Sequence, residues 1–203
     1  TAIQTIVSRR LDPFEMGVVS IGSFDGKGQF NIIQDRVELE GDVRYMDEQT
    51  EKKIATEIEK FVHGLEEQFG VDCALTYTKD YPPLFNNPTL TDNVVKWLQV
   101  ANAQEITEVI EFPPFSGSED FSYYANKFPG CFFYIGCKPK GVDKAYFNHH
   151  PKFDIDEDAL LVAAKSVGQV VCEYFGKVEE GEFSTEFVMI MFDIFQQLLL
   201  HYI

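Results

Sequence analysis

The stretch Arg36-Val37-Glu38-Leu39-Glu40-Gly41-Asp42-Val43-Arg44-Tyr45-Met46, followed at once by Asp47 and a long periodic segment, decides how this chain folds. Val37, Leu39, Gly41, Val43 and Tyr45 fall on one side of an extended backbone; Glu38, Glu40, Asp42 and Arg44 fall on the other. Alternation with a period of two predicts a strand with one buried face and one wet face. From Asp47 the period becomes helical. Ile54, Ile58, Phe61, Val62, Leu65 and Phe69 form one stripe, Asp47 caps its start and Gly70 ends it.

Working outward, residues 17–24 predict a second strand, turned by Asp25-Gly26-Lys27-Gly28, and Cys73, Leu75 and Tyr77 alternate in a third. Ala2-Ile3-Gln4-Thr5-Ile6-Val7 reads as a helix that the chain enters partway along, which predicts residues upstream of Thr1. Helix, strand, strand, helix, strand is a ferredoxin-like α+β sandwich lacking its first strand. It is assigned to residues 1–87. The turn-rich run from Tyr81-Pro82-Pro83 to Asn86-Asn87-Pro88 closes that part.

Residues 88–176 read as the C-terminal segment of an α/β domain. A helix is expected over 91–103 with Val94, Leu98 and Ala101 inward, then a short strand near 109–112. The loop Ser116-Gly117-Ser118-Glu119-Asp120 precedes a short helix. The continuously apolar run 131–135 suits a strand buried on both faces. Asp156-Glu157-Asp158 opens a last helix, with Leu160, Leu161, Ala164, Val167 and Val171 inward and Gly176 after it. Residues 177–203 form a tail with two readings: translated cloning sequence, suggested by its repeated Glu-Phe, or an amphipathic terminal helix.

Composition excludes some functions. The 203 residues carry 33 acidic and 17 basic side chains, a net charge of −16, with no cluster of positive charge, so nucleic acid is excluded as a partner. The apolar run 188–203 is short for a membrane span and is broken by Asp193, Gln196, Gln197 and His201, so no membrane partner is expected either. Cys73, Cys131, Cys137 and Cys172 form no Cys-x-x-Cys pair and sit in apolar segments. They are expected to be buried free thiols, which suits the cytoplasm.

Three places carry residues suited to chemistry. His149-His150, before Pro151 and the last helix, offers imidazole of the kind that binds zinc or manganese. A catalytic zinc takes about three protein ligands, and the alternative is a polar surface loop. In Ser116-Gly117-Ser118-Glu119-Asp120-Phe121, Ser118 is placed to cap the next helix and leave backbone N–H groups for a carboxylate or amide oxygen. The alternative is that Glu119 and Asp120 only complement the helix dipole. In Gly26-Lys27-Gly28-Gln29-Phe30-Asn31-Ile32-Ile33, two glycines allow a tight turn displaying Asn31. Arg44 offers a fork suited to a substrate carboxylate, or else a cross-strand ion pair with Glu38, Glu40 or a neighbour.

These pieces, in this order, resemble the zinc-dependent aminoacylase and carboxypeptidase family of metallopeptidases, in its amidohydrolase branch. The matching stretches are Ile6-Val7-Ser8-Arg9, Gly28 through Asn31 to Ile33, Val37 through Gly41 to Arg44, Ser116 to Phe121, Pro129-Gly130 and His149-His150-Pro151 to Asp154. The resemblance implies a catalytic α/β domain interrupted by a ferredoxin-like lid that also forms a homodimer, and hydrolysis of N-acyl amino acids or short peptides with one or two divalent metal ions, zinc or manganese. It implies His149 as a metal ligand, with Asn31, Arg44, Ser118 and Glu119 as substrate-binding residues. The family's other ligands and its general-base glutamate match nothing in this chain, so no catalytic residue is assigned and the chain alone is expected to be inactive. Gln34 stands where the family has proline. The alternative function is a stand-alone ferredoxin-like binding or dimerisation module.

Overall fold

The computed structural model describes residues 1–101 and 106–179. The chain divides into two units. One comprises Thr1–Pro83 with Pro114–Glu119; the other comprises Leu84–Pro113 with the residues from Asp120 onward.

In the first unit, a π-helical turn, Ile6–Arg10, leads to β1, Gly17–Asp25, which pairs antiparallel with β2, Glu38–Tyr45. The helix α1, Glu48–Phe69, follows. The pairing sets Val19 opposite Val43 and Ile21 opposite Gly41, then slips by one residue at Gly22, so that Phe24 meets Leu39. Without that bulge Ser23 would face Leu39 and Phe24 would turn to the wet side. The extra residue returns the phenyl ring to the apolar face.

Both ends of α1 form as its sequence predicts. The Asp47 carboxylate accepts the backbone N–H groups of Gln49 and Thr50 at 2.9 and 2.8 Å and the Thr50 hydroxyl at 2.7 Å. Gly70 takes the left-handed conformation, φ 64, and donates to the Glu66 carbonyl. The stripe of α1 closes on the near end of the hairpin: Ile6, Leu11, Val19 and Ile54 are buried, with Ile3, Val43, Ile58 and Phe61 against them. Burying each such aliphatic side chain contributes about 1.5–3 kcal/mol. A Cβ at Gly17 would stand 2.5 Å from Leu11 Cδ1, so the glycine lets Leu11 close over the start of β1.

The expectation of one fully buried strand face needs correction. Val43 and Tyr45 are half-buried, but Val37, Leu39, Ile21 and Phe24 are exposed. Leu65 and Phe69, which would cover them, are exposed as well. The strand expected over 73–77 is also absent. A strand needs a neighbour to take its backbone hydrogen bonds, and among the described residues the two-stranded sheet of β1 and β2 is the whole of the pairing. Lys79 is held instead by a side chain. Glu51, buried in the first turns of α1, forms an ion pair with Lys79. The ferredoxin-like sandwich is therefore not completed among the described residues.

The second unit holds α2, Pro88–Gln99, a one-turn α3, Ser122–Ala125, and α4, Asp158–Glu179. Helix α2 starts earlier than its periodicity predicts, because Asn87 Oδ1 accepts the Leu90 N–H and Pro88 occupies the first turn. Leu90, Val94, Trp97 and Leu98 pack with Cys131, Val170 and Tyr174. In α4 the buried positions are Ala159, Ala163, Ser166, Val170 and Tyr174, while Leu160 and Leu161, expected inward, are 46% and 50% exposed, and Ala164 is exposed too. The helix is apolar nearly all round, so fit rather than hydrophobicity selects its inner face: small Ala159 packs closely with Cys137 and Ala145. The helix also runs past Gly176 to Glu179. Residues 180–203, most of the predicted tail, lie outside the described residues.

The strands expected at 109–112 and 131–135 do not form ladders among the described residues. A side chain substitutes for a neighbouring strand at the second of these. Asn86 Nδ2 donates to the Phe132 carbonyl, the Phe132 N–H donates to Asn86 Oδ1, and the Asn87 N–H donates to the Gly130 carbonyl, each at 2.8 Å. Among the described residues no helix is long and apolar enough to cross a membrane.

Candidate functional site

Arg44 stands near the end of β2, opposite Val18. Strand alternation puts Asp42 on the same wet face, and its Oδ2 accepts from Arg44 Nε at 2.7 Å. The ion pair thus exists with a neighbour, Asp42, along the same strand and not across strands; Glu38 takes Arg36. Arg44 Nη1 also donates to the Ser116 carbonyl at 3.1 Å. This bond draws the Ser116–Glu119 loop, 72 residues further along, onto the strand within the same unit. Gly117 lets the loop turn tightly, since a Cβ there would stand 2.4 Å from the Phe115 ring. Glu119 is buried, an uncommon place for a carboxylate in a loop.

Ser118 does not cap a helix. The next helix begins only at Ser122, its flanking residue is Phe121, and no side chain caps it. The first N–H groups of that turn already bond within it, Tyr123 to the Asp120 carbonyl and Tyr124 to that of Phe121. Phe121 decides the start: its ring is buried, with the rings of Tyr124 and Phe132 against it at 6.2 and 5.7 Å. A single turn also leaves little dipole for Glu119 and Asp120 to complement.

Asn31 lies in the exposed loop between β1 and β2, beyond the Glu38 end of the strand. Arg44 stands six residues along β2, about 20 Å away at the usual rise per residue, so the hairpin does not bring the two together. Gln34 folds its amide over Gly28, where a Cβ would meet it.

His149 belongs to the second unit, in a turn fixed by its neighbours. The His150 N–H donates to the Phe147 carbonyl at 3.2 Å, and the Phe153 N–H donates to that of His150 at 2.9 Å. His150 Nδ1 accepts the Lys152 N–H at 3.0 Å, and its ring stacks on Tyr146 with centroids 4.2 Å apart. Phe153 anchors the turn against Cys137, Ala145 and Ala159. His149 is left exposed at φ 69, the one non-glycine residue with positive φ among those described. His150 is thus occupied in the turn, and His149 presents its imidazole outward.

The donor set for a metal is incomplete. Among the described residues no three His, Cys, Asp or Glu side chains come together to hold an ion, so His149 is a single donor. Thiols do not fill the gap. Burial pushes the Cys137 thiol up to about 11 and raises that of Cys131, so both stay protonated and unreactive at neutral pH. Cys73 is half-buried and Cys172 is exposed, against the expectation that all four are buried; all are free. Of the residues that hold these sites, Asp42 was legible as the partner two positions before Arg44, whereas nothing in the sequence pattern marked Tyr146.

Residues 9–173 match the model of peptidase family M20/M25/M40. The chain is 37% identical over 174 residues to YhaA of Bacillus subtilis (strain 168), provisionally named an amidohydrolase, covering 86% of this chain and 43% of that protein. It is 31% identical over 170 residues to an N-acetyldiaminopimelate deacetylase of Streptococcus thermophilus, covering 83% and 43%. It is 32% identical over 177 residues to thermostable carboxypeptidase 1 of Saccharolobus solfataricus, covering 87% and 44%. A crystal structure of a provisionally named aminohydrolase from methicillin-resistant Staphylococcus aureus superposes with a TM-score of 0.75 at 50% identity, over 85% of this chain and 44% of that one. The chain spans under half the length of the relatives it matches.

Proposed function

Because the chain belongs to peptidase family M20/M25/M40, we propose that it is the C-terminal part of a metal-dependent amidohydrolase cleaving the amide bond of N-acyl amino acids or short peptides. The observation that carries this reading is the 3.1 Å bond from Arg44 Nη1 to the Ser116 carbonyl, which joins two predicted substrate-binding segments distant in sequence. In this reading the Arg44 fork takes the substrate carboxylate through paired N–H groups. The Ser118–Glu119 loop lines the pocket beside it, while Asn31, at the far end of the hairpin, is too distant within one chain to touch the same small substrate. The names of the deacetylase and carboxypeptidase relatives fit a substrate of that kind.

His149 is read as one ligand of a divalent ion, zinc or manganese. The φ of 69 at an exposed histidine supports this, because backbone in that region is retained where a function depends on it. A bound ion, or a pair of them, would supply Lewis-acid polarisation of the amide carbonyl. The described residues do not complete a metal site, so no step is derived through the ion. The remaining ligands and the general base are placed in sequence outside this chain, which makes the chain inactive alone. The exposed Leu160, Leu161 and Phe175 on the outer face of α4 fit a missing neighbour. We further assign the hairpin unit to a homodimer contact, through its uncovered strand edges. The four free thiols fit the cytoplasm.

The test is to assay hydrolysis of N-acetyl amino acids and metal content for this chain alone, then with its upstream residues restored. Activity that appears only in the longer protein, tracks bound metal and is lost in His149→Ala is the expected result. Full activity in the isolated chain would refute the reading.

A further inference from the structure

We infer that Asp42 is a positioning residue that aims Arg44 at its ligand, with the Ser116 carbonyl as the second point of the aim. The inference rests on the reading of Arg44 as a carboxylate binder. A guanidinium presents five N–H donors in a planar fork. Asp42 takes Nε at 2.7 Å, and the Ser116 carbonyl takes one Nη1 hydrogen at 3.1 Å. Three donors then remain, one on Nη1 and two on Nη2, and among the described residues no protein group takes them. A planar group held at two of its nitrogens has little rotational freedom left. Its free donors are fixed before any anion arrives.

Stability cannot explain the pair. Arg44 and Asp42 side chains are 45% and 61% exposed, and exposed pairs contribute little to folding. Direction is what the arrangement supplies. Both residues sit on β2, whose pairing with β1 is continuous there, Ser20 with Asp42 and Val18 with Arg44, and a strand holds geometry better than a loop does. Length matters too. Glu40 shares the wet face two residues before Asp42, but the Arg44 bond goes to the shorter, nearer carboxylate. The predicted ligand is a small anion with one carboxylate beside an acylated amine. Its carboxylate meets the free donors of the fork, and the loop 116–119, held by the same side chain, closes the other side.

The chain has four arginines, Arg9, Arg10, Arg36 and Arg44, so its arginine Nε–H resonances can be assigned and followed individually. In the wild-type chain the Arg44 Nε–H should exchange slowly with water and shift on titration with N-acetyl-L-alanine, but not with N-acetyl-L-alaninamide. In Asp42→Ala that resonance should collapse toward the solvent-averaged position, and the apparent affinity for the acid should fall on the order of tenfold, the penalty expected when a binding group loses its aim. Asp42→Glu should restore part of both; a purely structural role would not separate acid from amide. If Asp42→Ala leaves the Arg44 resonance and the acid response as in wild type, Asp42 does not position Arg44. If the wild-type chain ignores the acid, the carboxylate reading fails, and the Nε–H exchange in Asp42→Ala still decides the positioning.

Discussion

At φ 69 the backbone of His149 holds a conformation that costs an ordinary side chain roughly 1–3 kcal/mol. Histidine tolerates it better than most residues, and glycine tolerates it best. Replacing His149 with glycine should therefore leave the melting temperature equal or higher, while His149→Val, branched at Cβ, should lower it; differential scanning calorimetry of the two variants checks this. Glu51 presents the opposite case, a carboxylate buried on α1 and balanced by the ammonium of Lys79. Burial first, then the adjacent Glu51 charge, raises the Tyr77 hydroxyl well above its ordinary value, so it stays a donor at any physiological pH. Removing Lys79 leaves the buried carboxylate short of its counter-charge, so Lys79→Ala should destabilise the chain and lower its urea midpoint. The double change Glu51→Met with Lys79→Met should recover most of that loss in urea titrations. Neither residue was legible in advance: a periodic count places Glu51 beside the helix stripe but does not say that it is buried.

Among the elements, the hairpin and α1 were readable because their signals are local. Alternation in β2, a carboxylate at Asp47 and a glycine at Gly70 each act within a few residues, and each does in the fold what its chemistry predicts. The elements that misled depend on distant neighbours. Residues 73–77 and 131–135 have strand composition, yet a strand exists only where another backbone takes its bonds. Helix α4 offers apolar residues on two sides, and only packing against Cys137 and Ala145 decides between them. The cap of α1 gives a test at this scale. Asp47→Ala should destabilise the chain by about 1 kcal/mol, and Asp47→Ser by much less. The Thr50 hydroxyl and the N–H groups of Thr50 and Gln49 hold the Asp47 carboxyl below its ordinary value. A folded-state value lower than the unfolded one means that the contribution is whole above about pH 4 and disappears as pH falls through the lower folded value. Denaturation curves of wild type and Asp47→Ala should thus differ at pH 7 and converge in strong acid.

For the molecule as a whole, family membership extends over most of the chain, yet the chain spans under half of its relatives' length. The candidate site divides accordingly. Arg44 and the loop at Ser116–Glu119 come together in the first unit, and His149 stands in the second. Sequence motifs named these residues but not how they combine, because the bond from Arg44 to Ser116 depends on a chain reversal that no local pattern encodes. If the outer face of α4 covers a segment outside this chain, Leu161→Asp should leave the melting temperature of the isolated chain within about 2 °C, as exposed substitutions do. The same change should abolish activity recovered on adding the upstream residues, which an N-acetyl amino acid assay would detect. The first unit is also discontinuous in sequence, since Pro114–Glu119 returns to it from within the second. The two units cannot be separated by one cut. A piece truncated after Pro83 would keep β1, β2 and α1, yet it would lose the carbonyl that Arg44 holds, and a hairpin that still folds would report no binding. Mapping the ligand by deletion would then credit the wrong half of the molecule; only a piece with 114–119 spliced back in, or point changes in the whole chain, would assign it correctly.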